Sequence, residues 1–435
     1  MTVAAVHLWG TRIGAVAWEA ERGLGFFEYD PAFVPSGIEV APLAMPLSTR
    51  VYSFPSLGRG TFHGLPGLLA DSLPDRFGNA VIDAWLASRG RTPESFDPVE
   101  RLCYTGVRGM GALEFQPALG PEPAQGAPLD VEALVGLANQ VLNDRERFTA
   151  RLEREPEAAS GAVRDLLRVG TSAGGARAKA VVAWNPDTGE LRSGQVDVGA
   201  GFTHWILKFD GVYGNRDREL DDPLGFGRVE FAYREMAVAA GMDMTECRLL
   251  EENGRAHFLT RRFDRKDDGS KVHMQSLGAI AHLDYGMPGA HSYEEALFAM
   301  RRLDLPMASL EQLVRRAAFN VVARNQDDHV KNLAFLMDRD GRWRLAPAFD
   351  VTYAYNPDGA WTGRHQMSLN GERDGFVRGD FQALEKTVSL ARGRALAILD
   401  EVVAAVREWP RHAEAAGVSD EHAARIARAH RLDLG

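Results

Sequence analysis

Between residues 310 and 322 the side chains of Leu310, Leu313, Val314, Ala317, Ala318, Val321 and Val322 recur at helical spacing, the strongest such stripe in the chain. A helix with so long an apolar face is stable only when other elements cover it. The preceding part of the chain is β-rich. KAVVAW-NPDTG-ELRSG (179–194) reads as a hairpin turning at Asn185–Gly189, and THWILKFD (203–210) as a further strand. Residues 228–240 then change period, placing Val229, Ala232, Tyr233, Met236, Ala237 and Ala240 on one helical face. AHFLTRRFDRKDDGSKVHMQS (256–276) reads as another hairpin, and from about 292 the chain is mostly helical.

At the N-terminus AVHLW, GAVAWE and GLGFFEYD, separated by turn signals, predict a small β-meander. NAVIDAWLAS (79–88) predicts a helix stopped by Arg89-Gly90, and the four prolines of 115–130 mark a linker. The predicted organisation is a β-rich N-terminal subdomain (1–118), a linker (119–130) and a larger domain (131–435) that is β-rich to about 275 and helical after it. The fold class is α+β, and the β-then-α order is that of a bilobal protein-kinase-like domain with a mostly helical C-terminal lobe, although order alone proves little. The net charge of −10 argues against a large built-in nucleic-acid surface. Cys103 and Cys247 stand far apart with no C-x-x-C, which fits a reducing compartment and no structural zinc. With no secretory leader pattern and no apolar run of membrane-spanning length, a soluble cytoplasmic protein is expected.

RVGTSAGGARAKAVVAW (168–184) poses the chemical question. Gly170-Thr171-Ser172-Ala173-Gly174 matches the G-x-S-x-G elbow of serine hydrolases, yet the stretch also reads as a phosphate-holding glycine loop with Lys179 at its far end. An elbow needs an apolar strand entering and a helix leaving. Here VRDLLRV carries Arg164, Asp165 and Arg168 at helix-like spacing, and β-rich KAVVAW leaves the loop, so the context is inverted. A plain glycine-rich turn is the bland alternative. Neither G-x-x-x-x-G-K-[ST] nor G-x-G-x-x-G is present, so the phosphate reading depends on the rest of a phosphate site downstream.

RNQDDHVKNLAFLMDRDGRWRLAPAFDVTYAY (324–355) supplies candidates. Phosphoryl transfer needs a carboxylate for the attacking hydroxyl and oxygen ligands for Mg²⁺ beside it. The kinase loop H-R-D-x-x-x-x-N sets the spacing from base to metal-binding asparagine, and Asp327 and Asn332 reproduce it just past the apolar helix. A hairpin, NLAFLM-DRDG-RWRLA, then delivers Asp350 as a second metal ligand. The same cluster could be a solvated loop with a helix cap, and a lone histidine such as His329 is more often a structural hydrogen-bonder than a catalyst. Lys208 is the only basic residue of an otherwise apolar strand, which is costly without a nearby anion. Glu230 on the following helix is the candidate partner, unless it merely favours the helix N-terminus through the dipole.

Taken together these segments resemble the HipA family, the serine/threonine-kinase toxins of bacterial toxin–antitoxin modules, over nearly the whole chain. The meander, GLPGLLADSLPD and TGVRGMGALEF look like the family's N-terminal subdomain, and TSAGGARAK, HWILKFD, VEFAYREMAVAAGM, RRFDR, NQDDHVKN and LAPAFD follow in the family's order. NQDDHVKN followed by PAFD is the most specific match. The resemblance implies Asp327 as catalytic aspartate, with Lys208 and Asn332 in the catalytic set, and Asn332 and Asp350 as Mg²⁺ ligands. It places Gly174, Gly175, Ala176 and Lys179 on a flexible phosphate loop, Lys208 and Glu230 at the phosphates, Arg262 and Phe263 at the adenine hinge, and His329 and Lys331 beside the nucleotide. Ser172 aligns with the serine that the family autophosphorylates, with Thr171 preceding it. Arg261 stands where an acidic residue is expected, and the loop reads Ala-Arg-Ala-Lys rather than Ala-Gln-Glu-Lys.

The implied function is an ATP- and Mg²⁺-dependent serine/threonine protein kinase that phosphorylates a cytoplasmic protein and inactivates itself at Ser172. The family suggests an aminoacyl-tRNA synthetase as substrate, and no residue here selects one. The implied partner is a HipB-like helix-turn-helix antitoxin through which DNA is mainly contacted, with no membrane involved. Two alternatives stand beside it: a serine hydrolase using Ser172, an aspartate and His329, and a non-catalytic pseudokinase acting through an antitoxin complex. The latter is disfavoured because every expected polar position is filled.

Overall fold

Strand β1 (Thr2–Leu8) buries Ala4, Val6 and Leu8 while Val3 faces out, the alternation that puts one strand face on a core. The computed structural model describes the whole chain except residues 88–89, 121–128, 144–176, 196–198, 200 and 213–223. β2 (Thr11–Glu19) and β3 (Leu24–Tyr29) continue the expected meander, and β4 (Val51–Tyr52) and β5 (Leu113–Gln116) complete an antiparallel sheet ordered β4-β3-β2-β1-β5. The helix Pro98–Thr105 covers it with Val99, Leu102 and Cys103. Its start follows from its sequence: Asp97 and Glu100 cap each other's backbone N–H, and Pro98 takes the first helical position. The helix expected at 79–88 runs Arg76–Ala87.

The second sheet is also antiparallel. β6 (Lys179–Trp184) and β7 (Leu191–Ser193) form the expected hairpin, and β8 (Thr203–Lys208), β9 (Cys247–Glu252) and β10 (Arg255–Arg261) extend it in the order β7-β6-β8-β10-β9. The helix Phe226–Ala239 crosses β10 at very short range. A Cβ on Gly227 would stand 2.0 Å from the Ala256 carbonyl oxygen, so only glycine fits there. Residues 256–276 form a hairpin only around their turn, where Arg265 and Lys271 bridge antiparallel and the Val272 N–H donates to the Asp264 carbonyl. Both edges of β10 are taken, by β8 and β9, so β11 (His273–Ser276) has no edge to join and pairs elsewhere.

After β12 (His291–Ser292) the chain is largely helical. β13 (Ala334–Met337) and β14 (Trp343–Leu345) are the predicted hairpin and join β11 in a three-stranded sheet, while β15 (Met367–Ser368) pairs with β12. The striped segment is the helix Met307–Val322, with all seven predicted apolar positions at most 1% exposed. Helices Tyr293–Arg302, Arg378–Val388 and Arg394–Arg407 surround it in the largest apolar cluster. At roughly 25 cal/mol per Å² of apolar surface, this burial dominates the stability of the lobe. Among the described residues no helix is long and apolar enough to cross a membrane.

The two parts meet through buried polar contacts. Asp264 accepts from Arg262 Nε (2.9 Å) and Nη2 (2.7 Å), from Arg265 Nη1 (2.9 Å) and from the backbone N–H of Gly111 (2.7 Å) in the N-terminal part. Arg265 also donates to the carbonyls of Gly109 and Gly111. Burial alone would raise the Asp264 carboxyl, but the two guanidinium groups and the Gly111 N–H hold it well below the usual carboxylate range.

Candidate active site

Lys179 in β6 and Lys208 in β8 are register partners, so both side chains leave the same face of the sheet. Two ammonium groups so placed repel each other unless anions intervene, and three carboxylates from distant segments do so. Lys208 Nζ donates to Glu230 Oε1 over 2.5 Å and to Asp350 Oδ1. Arg177 Nη1 lies 3.4 Å from the other Glu230 oxygen, with its guanidinium stacked 3.8 Å above the Phe226 ring. Lys179 Nζ lies 4.0 Å from Asp75 Oδ2. Burial opposes the charge on Lys208, yet Asp350 and Glu230 overcome it and raise its pKa. Burial likewise favours neutral Asp350, and Lys208 and Lys179 reverse that, holding its carboxyl well below the usual range. Lys179 is the weaker base, lowered by burial against the pull of Asp350 and Asp75.

The helix Met307–Val322 ends at Ala323, and Arg324 turns the chain in a left-handed conformation with φ 58°. The two adjacent aspartates that follow are held differently, one buried and one part-exposed. Asp328 is buried and accepts from Tyr293 Oη (2.6 Å), His365 Nδ1 (2.8 Å) and the Gln366 backbone N–H (2.7 Å). It anchors the loop from beneath. Asp327 keeps 22% of its side chain exposed, and its Oδ1 accepts from Trp361 Nε1 over 2.6 Å. His329 Nε2 lies 3.7 Å from the same oxygen. Asn332 Nδ2 donates to the Asp327 carbonyl over 2.9 Å, closing the loop across the 3₁₀ turn Val330–Asn332. Asp350 takes a left-handed φ of 53°, with 27% of its side chain exposed toward the cleft.

Asn332, His329, Asp350, Asp328, Asn325 and Arg316 line one shallow cleft. Phe263 tilts against Phe349 with ring centroids 5.7 Å apart, among Val272, Ala334, Leu336 and Ala346. The Arg262 side chain does not reach the lysine cluster, because it is buried in the Asp264 ion pair. Lys331 stands 5.3 Å from the Tyr285 ring centroid, lines a second cleft beside Thr61 and Asp71, and is near enough to help lower the Asp75 carboxyl. Ser172, Gly174, Gly175 and Ala176 lie outside the described residues. Sequence reasoning missed Asp75, Arg177 and Trp361; Asp75, at the end of GLPGLLADSLPD, and Arg177, in TSAGGARAK, belong to motifs singled out beforehand, and Trp361 does not.

Among the described residues no three His, Cys, Asp or Glu side chains converge as a metal cage. Asp350 and Asn332 offer a carboxylate and an amide oxygen on one cleft wall. That sparse, hard-oxygen set fits Mg²⁺, which binds through one or two protein oxygens and completes its shell with phosphate and water.

Two family models match the chain: the HipA N-terminal domain over residues 4–116 and the HipA-like C-terminal domain over residues 171–409. A Sinorhizobium fredii protein named "Putative kinase Y4mE" is 31% identical over 134 residues, 28% of this chain and 31% of that protein. A Haemophilus influenzae protein named "Putative kinase" is 28% identical over 134 residues, 28% of this chain and 39% of that protein. The matches thus span about a third of the length of these curated relatives. Among solved structures, HipA from the Shewanella oneidensis toxin–antitoxin complex of HipA, HipB and operator DNA is similar in fold. It has a TM-score of 0.67 at 16% identity, covering 99% of this chain and 95% of that one.

Proposed function

The chain belongs to the HipA family, and from that premise we propose that it is a Mg²⁺- and ATP-dependent protein kinase acting on serine or threonine hydroxyls. The observation that carries the reading is Lys208 held between Glu230 and Asp350, with Asp350 sharing a cleft with His329 and Asn332. Phosphoryl transfer is mostly positioning and charge stabilisation. In this reading Lys208 and Lys179 present the cationic face that receives the phosphates of ATP, and Glu230 keeps Lys208 extended toward them. Asp350 and Asn332 hold Mg²⁺, which bridges phosphate oxygens and offsets their charge. Asp327, held by Trp361, orients the acceptor hydroxyl.

Ser172, outside the described residues, is the proposed autophosphorylation site. The S. oneidensis neighbour was solved with HipB and operator DNA, so we propose a HipB-like antitoxin as partner, with DNA contacted mainly through it. A net charge of −10 suits that division of labour. The protein substrate is proposed at class level only: a cytoplasmic protein presenting a serine or threonine.

Incubation with γ-labelled ATP and Mg²⁺ tests the reading. The wild-type chain is expected to incorporate label into itself or an added protein acceptor. The Asp327→Ala variant, unchanged in circular dichroism and melting temperature, is expected to incorporate none, because a loop carboxylate contributes chemistry rather than core packing. Wild-type-like transfer by that variant would remove Asp327 from the mechanism.

A further inference from the structure

Asp75 closes the stretch GLPGLLADSLPD and precedes the helix Arg76–Ala87. One of its oxygens does ordinary work: Oδ1 accepts the Gly78 backbone N–H over 2.6 Å, satisfying an orphan donor of the first helical turn. The other, Oδ2, is buried without a hydrogen-bond partner and faces the Lys179 ammonium at 4.0 Å. The two side chains are 3% and 4% exposed. A cap does not need this charge, since neutral asparagine and serine cap as well as aspartate. Burying a carboxylate with one oxygen unbonded is costly, and burial pushes the Asp75 carboxyl up to about 6 even with Lys179 beside it.

What the charge does supply is a counter-ion for Lys179. Lys179 faces Asp350 and Glu230 as well as Asp75, with Lys208 repelling it. Asp350 and Glu230 are both engaged by Lys208, and Glu230 also by Arg177. In the nucleotide reading Asp350 must in addition serve the metal. Asp75 comes from the N-terminal part of the chain and approaches from a segment that holds no other member of the cluster.

Resting on the nucleotide reading of the cleft, we propose that Asp75 is a positioning residue: the N-terminal part supplies the carboxylate that holds the Lys179 ammonium beside Lys208 for the phosphates of ATP. The kinase-like site is then composite, completed by the family's N-terminal domain rather than contained in the C-terminal one. Asp75 touches neither nucleotide nor acceptor and acts through Lys179.

Three variants of the full chain separate this role from helix capping. Asp75→Asn and Asp75→Ser remove the charge and keep a cap, whereas Asp75→Ala removes both. All three are expected to weaken MgATP binding in calorimetry by about tenfold, a typical coupling for contacting groups. Only Asp75→Ala is expected to lower the melting temperature appreciably. Affinity for adenosine, which has no phosphates, should stay within about twofold of wild type in every variant. The proposal is overturned if the Asn and Ser variants bind MgATP as wild type does or more tightly, or if adenosine affinity falls in parallel with MgATP. A wild-type chain that binds no MgATP would overturn the nucleotide reading and this proposal together. Failure confined to the Asn and Ser variants leaves that reading standing.

Discussion

Trp361 donates its indole N–H to Oδ1 of Asp327 over 2.6 Å, linking the loop after the apolar helix to a segment 34 residues further on. The bond occupies one carboxylate oxygen and fixes where the other points. Trp361→Phe keeps the ring packing and deletes the donor. A hydrogen bond to a charged group contributes about 1.5–3 kcal/mol, so kcat for phosphoryl transfer is expected to fall about 10- to 100-fold with KM for ATP little changed. Steady-state kinetics check this, and a rise in KM at constant kcat would place Trp361 in nucleotide binding instead.

Lys208 is the hinge of the charge cluster. Lys208→Met leaves Glu230, 1% exposed, without its closest cation and is expected to cost about 3 kcal/mol, as breaking a buried pair does. Adding Glu230→Gln should recover a large part of that stability without restoring MgATP binding. Urea denaturation of the single and double variants reads the first effect and calorimetry the second. A double variant no more stable than Lys208→Met would show that the pair is energetically idle.

Acid should destabilise the protein before its surface carboxylates titrate. His257 and His273 are both 0% exposed, and burial lowers them to about 4 and about 3. Neutral His257 also accepts the Asp210 backbone N–H through Nδ1 over 2.9 Å, a bond that protonation breaks. Folded-state values below the unfolded one mean a contribution fully present above about pH 6.5 and lost as pH falls toward 4. Asp75, shifted upward, works in the opposite sense over part of that range. Melting temperature measured from pH 8 to 4 should be flat above 6.5 and decline below it. His273→Gln should soften the decline.

Ser172 is expected to carry phosphate after incubation with MgATP, and that form should bind nucleotide poorly. A phosphate adds about −1.5 to −2 charge and three acceptor oxygens, which would compete with ATP for Lys179, Lys208 and the glycine-loop N–H groups. Mass spectrometry should locate the group on Ser172 rather than Thr171. Undiminished activity in stoichiometrically phosphorylated protein would dismiss a switch at this serine.

Local signals carried much of this architecture. The stripe from Leu310 to Val322 could only be a buried helix, and the turn residues at Asn185–Gly189 and in DRDG fixed two hairpins. The pairing of Lys208 with Glu230 was also legible, because a lone lysine in an apolar strand demands an anion and a glutamate waited on the next helix. Within residues 256–276 the turn was legible, but the partner of β11 was not. Their alternation marks strands but says nothing of which edges are already filled. Spacing to Asn332 singled out Asp327, but not the buried anchoring role of its neighbour Asp328, which depends on Tyr293 and His365 far along the chain. Trp361 and Asp75 meet their partners across 34 and 104 residues, distances at which spacing carries no information.

The knot at Asp264 bears on how the chain can be divided. Its carboxylate satisfies two arginines, and those arginines in turn satisfy the carbonyls of Gly109 and Gly111. A fragment beginning after residue 130 would keep the cations and lose four of these hydrogen bonds at once, exposing a charged seam that water must fill. Expressed alone, such a fragment should be poorly behaved and prone to aggregate. A protease nick in the 119–130 segment should behave quite differently, leaving two peptides that travel as one body through gel filtration and part only in denaturant.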